Sequence, residues 1–548
     1  MSDKTQRPGA LLHFMTKGKQ EFVRLDDPYD EVLFPQEAPE KVQPGLPNSS
    51  RYAFVAGAEN TVDSILKDID PANTQLKAKV MEWMKLCNVI NDGFTALGLS
   101  RMLPKWLHFL VQKRLDTLYT LASYTVRDVQ YAMFNLGYTY EDLMRDCPKA
   151  PEGPEPDPTL RRLKAVLTHP IGDYAVQPRE ATFAAHGITM AHYMQGAAYT
   201  IGATQNISIR SSSLLREMGG EVLVDATVEE IIMENGRVVG VRVVNTVDKA
   251  NSHGKSLMAT EIRARNVVCA TSIYNLYNRL LPQDLDIVKD FQDPLKRSVR
   301  QSNGHVFLFC KIKGDAVDLG LPYHNLWYFN GYDLDQAFDA YFKDPASVRP
   351  PTVYIGFPCT KDPTWKKRFP HVSNCILISD GLWEWFAKWA DKPVHNRGEE
   401  YEAFKAALGK HLLDILYECV PQIKGKVEFH MVGTPLSEVT YLSSFHGGSY
   451  GTMCTTEMFA SKNRSWTTTP HTSIPGLYMA GSDAFLPAVC GAMYGGCFGA
   501  TAVLGYLGTI RMILAFLGDF AKSIKETHPK ISWMKAYAVA FRKFVQDD

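Results

Sequence analysis

Apolar and polar residues follow two different periods along the chain, and each period predicts its own kind of structure. Over residues 58–146 apolar side chains return every three or four positions, which is the pattern of amphipathic helices. From residue 204 onward, short apolar runs bounded by glycine, asparagine and proline predict strands that alternate with helices. Residues 1–57 show only short extended runs around the turn at Asp27-Pro28. Strands interspersed with helices predict the α/β fold class.

The middle of the chain predicts a particular order of elements. Asn235-Gly236 lies between two runs rich in β-branched residues, and this dipeptide is the preferred two-residue turn of a hairpin. Gly219-Gly220 ends the helix that precedes the hairpin. In chain order the prediction is a helix over 205–218, a strand over 221–225, hairpin strands over 228–233 and 237–244, and a strand over 261–270.

A second informative block lies near the end of the chain. Residues 473–483 predict a turn and a buried strand that ends in Gly481 and Asp483, and a glycine-rich helix follows. The uncharged run 484–510 is long enough to span a membrane. Because it contains Pro487 and several glycines, it favours a turn followed by a packed, cofactor-facing helix over a membrane span.

Residues 97–121 mix leucine and aromatic residues with basic ones, which leaves two interpretations. The stretch is either a helix that lies on a membrane surface or a pair of core helices with solvated lysines. The spacing of its apolar residues slightly favours the core helices.

Composition and charge exclude several classes of protein. Lys+Arg and Asp+Glu both number 59, so the formal net charge is zero and a strongly basic nucleic-acid binder is excluded. None of the 10 cysteines has CxxC spacing, so no metal site is predicted and a reducing compartment is favoured. The N-terminus has no apolar core long enough for a signal peptide, so no targeting segment is visible.

The C-terminal block carries the chemistry that the residues themselves suggest. The Asp483 carboxylate is suited to accept hydrogen bonds from ribityl or ribose hydroxyls, and the helix-start N–H groups near Gly491 and Ala492 are suited to a pyrophosphate or a flavin. The alternative is a helix packed on a strand, with glycines that serve only the packing.

Several segments together resemble the FAD-dependent polyprenoid oxidoreductases. This family comprises phytoene desaturases, carotenoid isomerases and, most similar here, the all-trans-retinol 13,14-reductases. The resemblance implies a two-domain fold, with a Rossmann-like FAD domain that is incomplete at its N-terminal side and a mixed-sheet and helical substrate domain. The matching segments are 26–30, 174–178, 192–196, 219–228, 275–282, 441–451, 474–483 and 491–492.

The resemblance also divides the chain and assigns residues. It implies that Val228 contacts the adenine through its backbone, that Ala270 and Thr271 lie near the cofactor, that Asp483 holds the ribityl chain, and that Gly491 and Ala492 lie by the flavin and pyrophosphate. The segments are a short-stranded part of the substrate domain (1–57), a helical region that faces the substrate or the membrane (58–150), an FAD-domain segment (175–282), the substrate-domain sheet and helices (283–440), a second FAD-domain segment (441–515) and a helical tail (516–548).

The implied function is saturation of a C=C bond in a retinoid or carotenoid-like polyene. The resemblance names no catalytic residue, and Tyr199, His192 and Tyr450 are the candidates for the proton donor. An NAD(P)H-linked electron donor is compatible with it. An apolar substrate also implies a membrane surface, compatible with the endoplasmic reticulum or a plastid. Carotenoid isomerisation or desaturation is an alternative, because no residue decides the direction of electron flow.

Two departures from the family pattern affect these expectations. The family begins with a strand, a GxGxxG turn and a helix, and this sequence contains no such segment. Where the family has a Tyr-Pro-x-Gly-Gly turn, residues 199–203 read Tyr-Thr-Ile-Gly-Ala. We therefore expect weak FAD binding by this chain, and a non-catalytic pseudoenzyme or a truncated gene model are further alternatives.

Overall fold

A mixed β-sheet with helices on both faces forms the centre of the molecule. The structure is a computed structural model that describes residues 3–4, 6–35, 50–246 and 258–545. Residues 36–49, within the predicted segment 1–57, lie outside this description. The predicted α/β class is confirmed, whereas the predicted domain boundaries stay predictions.

The helices, in chain order, are α1 (Arg7–Thr16), α2 (Ala58–Leu66), α3 (Thr74–Met102), α4 (Gln112–Ala122), α5 (Val126–Gln130), α6 (Tyr140–Leu143), α7 (Pro158–Leu167), α8 (Phe183–Tyr193), α9 (Gln205–Glu217), α10 (Ile273–Asn275), α11 (Asp286–Gln292), α12 (Leu334–Lys343), α13 (Pro358–Lys361), α14 (Trp365–Arg368), α15 (Trp383–Phe386), α16 (Glu399–Cys419), α17 (Pro435–Leu442), α18 (Ala488–Thr527) and α19 (Trp533–Val545). The strands are β1 (Phe22–Arg24), β2 (Asp30–Leu33), β3 (Arg51–Phe54), β4 (Ala198–Thr200), β5 (Ala226–Glu234), β6 (Arg237–Asn245), β7 (Thr260–Arg263), β8 (Val267–Cys269), β9 (Gly304–Lys313), β10 (Asn325–Phe329), β11 (Thr352–Gly356), β12 (Val372–Gly381), β13 (Val427–Gly433) and β14 (Leu477–Met479).

The largest sheet has seven strands in the order β13-β9-β12-β11-β10-β2-β3. Only the β10–β2 pair is parallel, and it brings Trp327 opposite Val32. One face packs on helices that include α3 and α8, through side chains such as Trp83 and Phe183, which are fully buried. The other face packs on α16 through Leu412 and Ile415. Burial alternates along most of β9 and β12, so at these two strands one face of the sheet is covered less completely than the other.

A smaller unit joins two segments that lie far apart in the chain. β8 and β14 pair in parallel, with Leu477 opposite Val267, and the three-stranded sheet β5-β6-β7 packs beside them. The predicted hairpin is confirmed: Asn235 and Gly236 have φ values of 50° and 74°, as the turn requires. The predicted α9 helix is confirmed as well, although Leu214 is its one buried residue.

Two of the strand predictions in this unit are wrong. Residues 221–225 are not a strand, and β5 begins only at Ala226. A strand is stable only when a neighbour pairs with it, and Leu223 and Val224 are 62% and 77% exposed. The predicted strand 261–270 is split into β7 and β8, which belong to different sheets.

The predicted packed helix after Asp483 is α18, which is packed at both ends and exposed in its middle. An ideal Cβ at Gly495 would lie 2.0 Å from the Gly481 carbonyl oxygen, so this helix approaches β14 backbone to backbone. The helix is broken at Gly505, which has a φ of 65°. Leu504 and Leu507, on either side, are 51% and 79% exposed. Among the described residues, α18 is the one helix long and apolar enough to cross a membrane.

Candidate functional site

A cavity of about 1070 Å³ lies between α3, α8, the start of α18 and one end of the large sheet. Apolar side chains line much of it because the helices turn their buried faces toward one another. The apolar lining residues include Phe94, Leu99, Ile188, Phe485, Leu486 and Phe498. A large, mostly apolar cavity with a few polar groups is the usual form of a site for an apolar small molecule.

The first turn of α18 opens onto this cavity. Residues 485–491 line its wall, and Gly491 is among them, whereas Ala492 is not a lining residue. The first N–H groups of a helix have no acceptor within the helix, and its N-terminus carries partial positive charge. No acidic residue in the first turn of α18 competes for these groups. The arrangement therefore suits an electron-rich ligand at this wall.

The carboxyl ends of β8 and β14 meet the start of α18, which is the edge where ligands of open parallel sheets bind. Ala270 and Thr271 follow β8 directly and are exposed there. Gly481 follows β14 with a φ of 76°, and a Cβ on it would lie 3.4 Å from the Ala270 carbonyl oxygen. Val228 lies in β5 and is 38% exposed. The predicted cofactor contacts of these residues stay predictions.

Asp483 is buried, and its carboxylate accepts hydrogen bonds from groups of the protein itself. Oδ1 accepts hydrogen bonds from the Thr452 backbone N–H at 2.8 Å and from the Thr452 hydroxyl at 2.9 Å. Oδ2 accepts one from the Ile273 backbone N–H at 3.0 Å. Burial raises the pKa of Asp483, against these hydrogen bonds, which lower it. Asp483 thus joins three segments, and it is not a lining residue of the cavity.

The three predicted proton donors lie in different places. His192 and Tyr199 line the cavity, whereas Tyr450 does not, and its hydroxyl donates a hydrogen bond to the Gly172 carbonyl oxygen at 2.8 Å. His192 borders the cavity and is exposed to it, but many protein atoms lie close to the ring and desolvate it. This burial lowers the pKa of His192 to about 4, so the ring is neutral near neutral pH. Burial raises the pKa of Tyr199, which keeps its phenol protonated.

The sequence analysis missed a polar group of residues at the sheet end of the cavity. Asp173, Tyr193, Tyr354 and Lys361 all line it there. Burial raises the pKa of Asp173 to about 7 and lowers the pKa of Lys361 to about 8. These residues come from four separate elements and loops, so no motif or spacing could have grouped them.

A flavin fits this geometry on one side only. The N-terminus of α18 and the ends of β8 and β14 surround a wall suited to a flavin ring and its ribityl chain. In dinucleotide-binding folds the diphosphate of FAD is held by a glycine-rich turn between a strand and a helix, and this sequence contains no GxGxxG segment. The residues present therefore fit the flavin half of the cofactor and not its adenosine half.

Known proteins that are similar to this chain fall in one class, the enzymes named for retinoid and carotenoid polyenes. No protein-family model matches the chain. Similar proteins include reductases, an isomerase and an oxygenase whose names refer to retinol, prolycopene and diapolycopene. The resemblance found in the sequence is thereby confirmed.

Within that class, the all-trans-retinol 13,14-reductase of Danio rerio is 26% identical over 492 residues, which are 89% of this chain and 74% of that protein. A Danio rerio protein named inactive all-trans-retinol 13,14-reductase is 28% identical over 493 residues, covering 88% of this chain and 74% of its own. The chloroplastic prolycopene isomerase of Daucus carota is 22% identical over 297 residues, 54% of this chain and 42% of that protein. Among solved structures, wild-type putrescine oxidase bound to putrescine has a TM-score of 0.46 at 13% identity, covering 91% of this chain and 86% of that chain.

Proposed function

We propose that this chain is a flavin-dependent oxidoreductase that saturates a C=C bond of a retinoid-type polyene. The observation that carries the proposal is the large, mostly apolar cavity at the N-terminus of α18. The similarity to retinol reductases over most of the chain supports the polyene as substrate. FAD is the cofactor that the flavin-side geometry supports, and NAD(P)H-linked reduction of it is part of the same proposal.

The residues that line the cavity would have different roles in such a reaction. A bound flavin would supply the hydride, and the second alkene carbon then needs a proton. The protonated phenol of Tyr199 faces the cavity and is our proposed proton donor. His192 is neutral and is suited to position a ligand through hydrogen bonds. The apolar walls exclude water and hold the polyene extended.

The test is conversion of all-trans-retinol in the presence of a large excess of FAD and a chemical reductant, without oxygen. We expect a product that carries two more hydrogen atoms, detected by mass spectrometry. Tyr199→Phe should lower the rate roughly ten-fold or more while leaving retinol binding intact. Tyr450→Phe is the matched control, because that hydroxyl is engaged by Gly172 outside the cavity. An unchanged substrate mass would contradict the saturation chemistry.

Isomerisation is distinguished by the same experiment. An isomerase would leave the mass unchanged but alter the chromatographic retention of the polyene. The carrot prolycopene isomerase matches only 54% of the chain, so the comparison supports isomerisation less than saturation.

A second candidate function is that of a polyene-binding protein without catalysis. Two observations favour it: backbone N–H groups and the Thr452 hydroxyl already donate hydrogen bonds to the Asp483 carboxylate, and the sequence contains no GxGxxG segment. This candidate predicts tight binding of retinol with neither a mass change nor a retention change.

We further propose that the protein works at a membrane surface. Exposed apolar and aromatic side chains lie in three neighbouring places: residues 105–110, the middle of α18, and α19. Met102, at the end of α3 just before residues 105–110, lines one small pocket together with Met512 of α18 and Phe544 of α19, so these three helices meet there. Exposed Lys105, Arg511 and Lys535 accompany them, and basic residues beside apolar ones are typical of interfacial binding. We call this the apolar surface; its exposed members are Trp106, Phe109, Leu110, Leu504, Tyr506, Leu507, Ile510, Leu514, Trp533, Met534, Tyr537 and Phe541.

A further inference from the structure

The wall of the cavity beside the large sheet holds a buried lysine whose donors are unused. Lys361 ends α13, is 4% exposed, and its Nζ has no hydrogen-bond partner in the described part of the chain. A buried ammonium without hydrogen bonds is costly, because nothing replaces the water it has lost. An unused donor of this kind in the wall of a cavity points to a ligand group that accepts its hydrogen bonds.

The acid that attracts Lys361, Asp30, is already committed to other donors. Its Oδ2 is 2.8 Å from His169 Nε2 and accepts a hydrogen bond from Trp327 Nε1 at 3.1 Å. Its Oδ1 accepts a hydrogen bond from Asn325 Nδ2 at 2.8 Å. Asp30 therefore supplies negative charge near Lys361 without closing an ion pair with it.

Other polar groups lie at the same end of the cavity, and some of them are hydrogen-bonded to one another. The Tyr354 hydroxyl donates to Asn325 Oδ1 at 2.8 Å, which links the cavity wall to Asp30. The Oδ2 atom of Asp173 is buried as well, and it has no hydrogen-bond partner in the described ranges. The polar end thus contrasts with the phenylalanine and leucine side chains contributed by α3 and the segment before α18. A ligand that matches both parts has a long apolar body and one polar end.

We propose that Lys361 binds the oxygen-bearing end group of an otherwise apolar substrate and so fixes which end of the polyene enters the cavity first. The assignment rests on the proposed polyene function and adds to it the chemistry of the substrate's terminus. Alcohol, aldehyde and carboxylate oxygens all accept hydrogen bonds from an ammonium, and a methyl end group does not. Lys361 therefore selects oxygenated retinoids and disfavours hydrocarbon carotenes.

The experiment compares three probes that share one polyene body, using the full chain in mild detergent. The probes are all-trans-retinoic acid, all-trans-retinol and axerophthene, in which the terminal group is a methyl. Binding is measured by quenching of tryptophan fluorescence, so no turnover is needed. We expect the wild type to bind the two oxygenated probes roughly ten-fold or more tightly than axerophthene.

Variants assign this preference to one side chain. Lys361→Met should abolish the preference while leaving axerophthene binding unchanged, and Lys361→Gln serves as a second, polar variant in case the methionine variant is poorly folded. Lys367→Met, an exposed lysine on the neighbouring helix, is the matched control and should behave as wild type. A preference that survives both Lys361 variants would overturn the assignment while leaving the polyene function intact. No binding of any of the three probes to the wild type would overturn both.

Discussion

At the scale of single residues, Asp483 holds together segments that are far apart in the chain, through hydrogen bonds to its carboxylate. We expect Asp483→Ala to lower the free energy of unfolding by roughly 2–4 kcal/mol, because the buried N–H groups of Thr452 and Ile273 lose their acceptors. Denaturant unfolding measures the change. Asp483→Asn keeps one acceptor oxygen and should lose less. Wild-type stability of the alanine variant would show that these hydrogen bonds contribute nothing net.

Lys361 gives a prediction on stability against pH. Its pKa in the folded protein is about 8, below the usual 10.5, so the stability that this lysine contributes is present above pH 10.5 and is lost as the pH falls through about 8. Near neutral pH, Lys361→Met should therefore raise the free energy of unfolding by on the order of 2–3 kcal/mol. The difference from wild type should shrink at about pH 10, as the lysine becomes neutral in the unfolded chain as well.

Denaturant unfolding of both proteins at the two pH values measures this effect. Lys367→Met, exposed to solvent, should stay within about 0.5 kcal/mol of wild type at both. A stability gain that is the same at both pH values would mean that packing, and not charge, explains the Lys361 variant.

The same residues show what sequence reasoning can reach. Asp483 was predicted as a candidate because a strand, a glycine and the acid lie in one short segment. Lys361 and Asp173 were not, because their meaning depends on burial beside a cavity that four distant parts of the chain enclose. Local patterns record which residues are neighbours in the chain, whereas the polar end of the cavity is a property of the tertiary structure.

At the scale of elements, the glycines of α18 set how closely the helix approaches β14. We expect Gly495→Ala to destabilise the protein by about 3 kcal/mol, because its Cβ would lie 2.0 Å from the Gly481 carbonyl oxygen and the backbone would have to move. Gly496→Ala is the matched control: a Cβ there meets nothing within 4 Å. Alanine at that position should be neutral or stabilise the helix by up to about 1 kcal/mol. Thermal unfolding of the two variants provides the comparison, and equal midpoints would contradict the close packing.

The elements also show which structures a local sequence pattern can predict and which it cannot. The hairpin of β5 and β6 was predicted because the Asn235-Gly236 turn is encoded by two adjacent residues. The strand over 221–225 was wrong, although its residues are as apolar as those of β5. Local propensity is enough for a turn, but a strand also needs a neighbour to pair with, and the pattern of one segment cannot supply that neighbour.

At the scale of the whole molecule, cofactor binding tests whether the site holds only the flavin half of FAD. We expect this chain to hold FAD weakly, and to bind FAD and riboflavin with affinities within about ten-fold of each other, because the diphosphate lacks its glycine-rich turn. Flavin absorbance of the purified chain and titration with both compounds measure this. Stoichiometric FAD bound far more tightly than riboflavin would mean that another part of the chain holds the diphosphate.

The apolar surface gives a prediction for the molecule in contact with lipid. We expect the chain to sediment with vesicles of phosphatidylcholine and phosphatidylserine, and Leu507→Asp to weaken this roughly ten-fold, because Leu507 is 79% exposed on that surface. Leu295→Asp is the matched control, since Leu295 is 88% exposed on a different part of the chain. Equal sedimentation of the two variants would contradict docking through this surface.

The residues that line both cavities have a kinetic consequence. Arg7, Met102, Tyr494, Phe498 and Phe544 line the large cavity and also the small pocket next to the apolar surface. Under the proposed docking, an apolar substrate would pass from bilayer to cavity without crossing water and would search for its site in two dimensions. Its effective concentration would then be its mole fraction in the lipid. Adding inert lipid at constant total substrate would slow the enzyme by surface dilution.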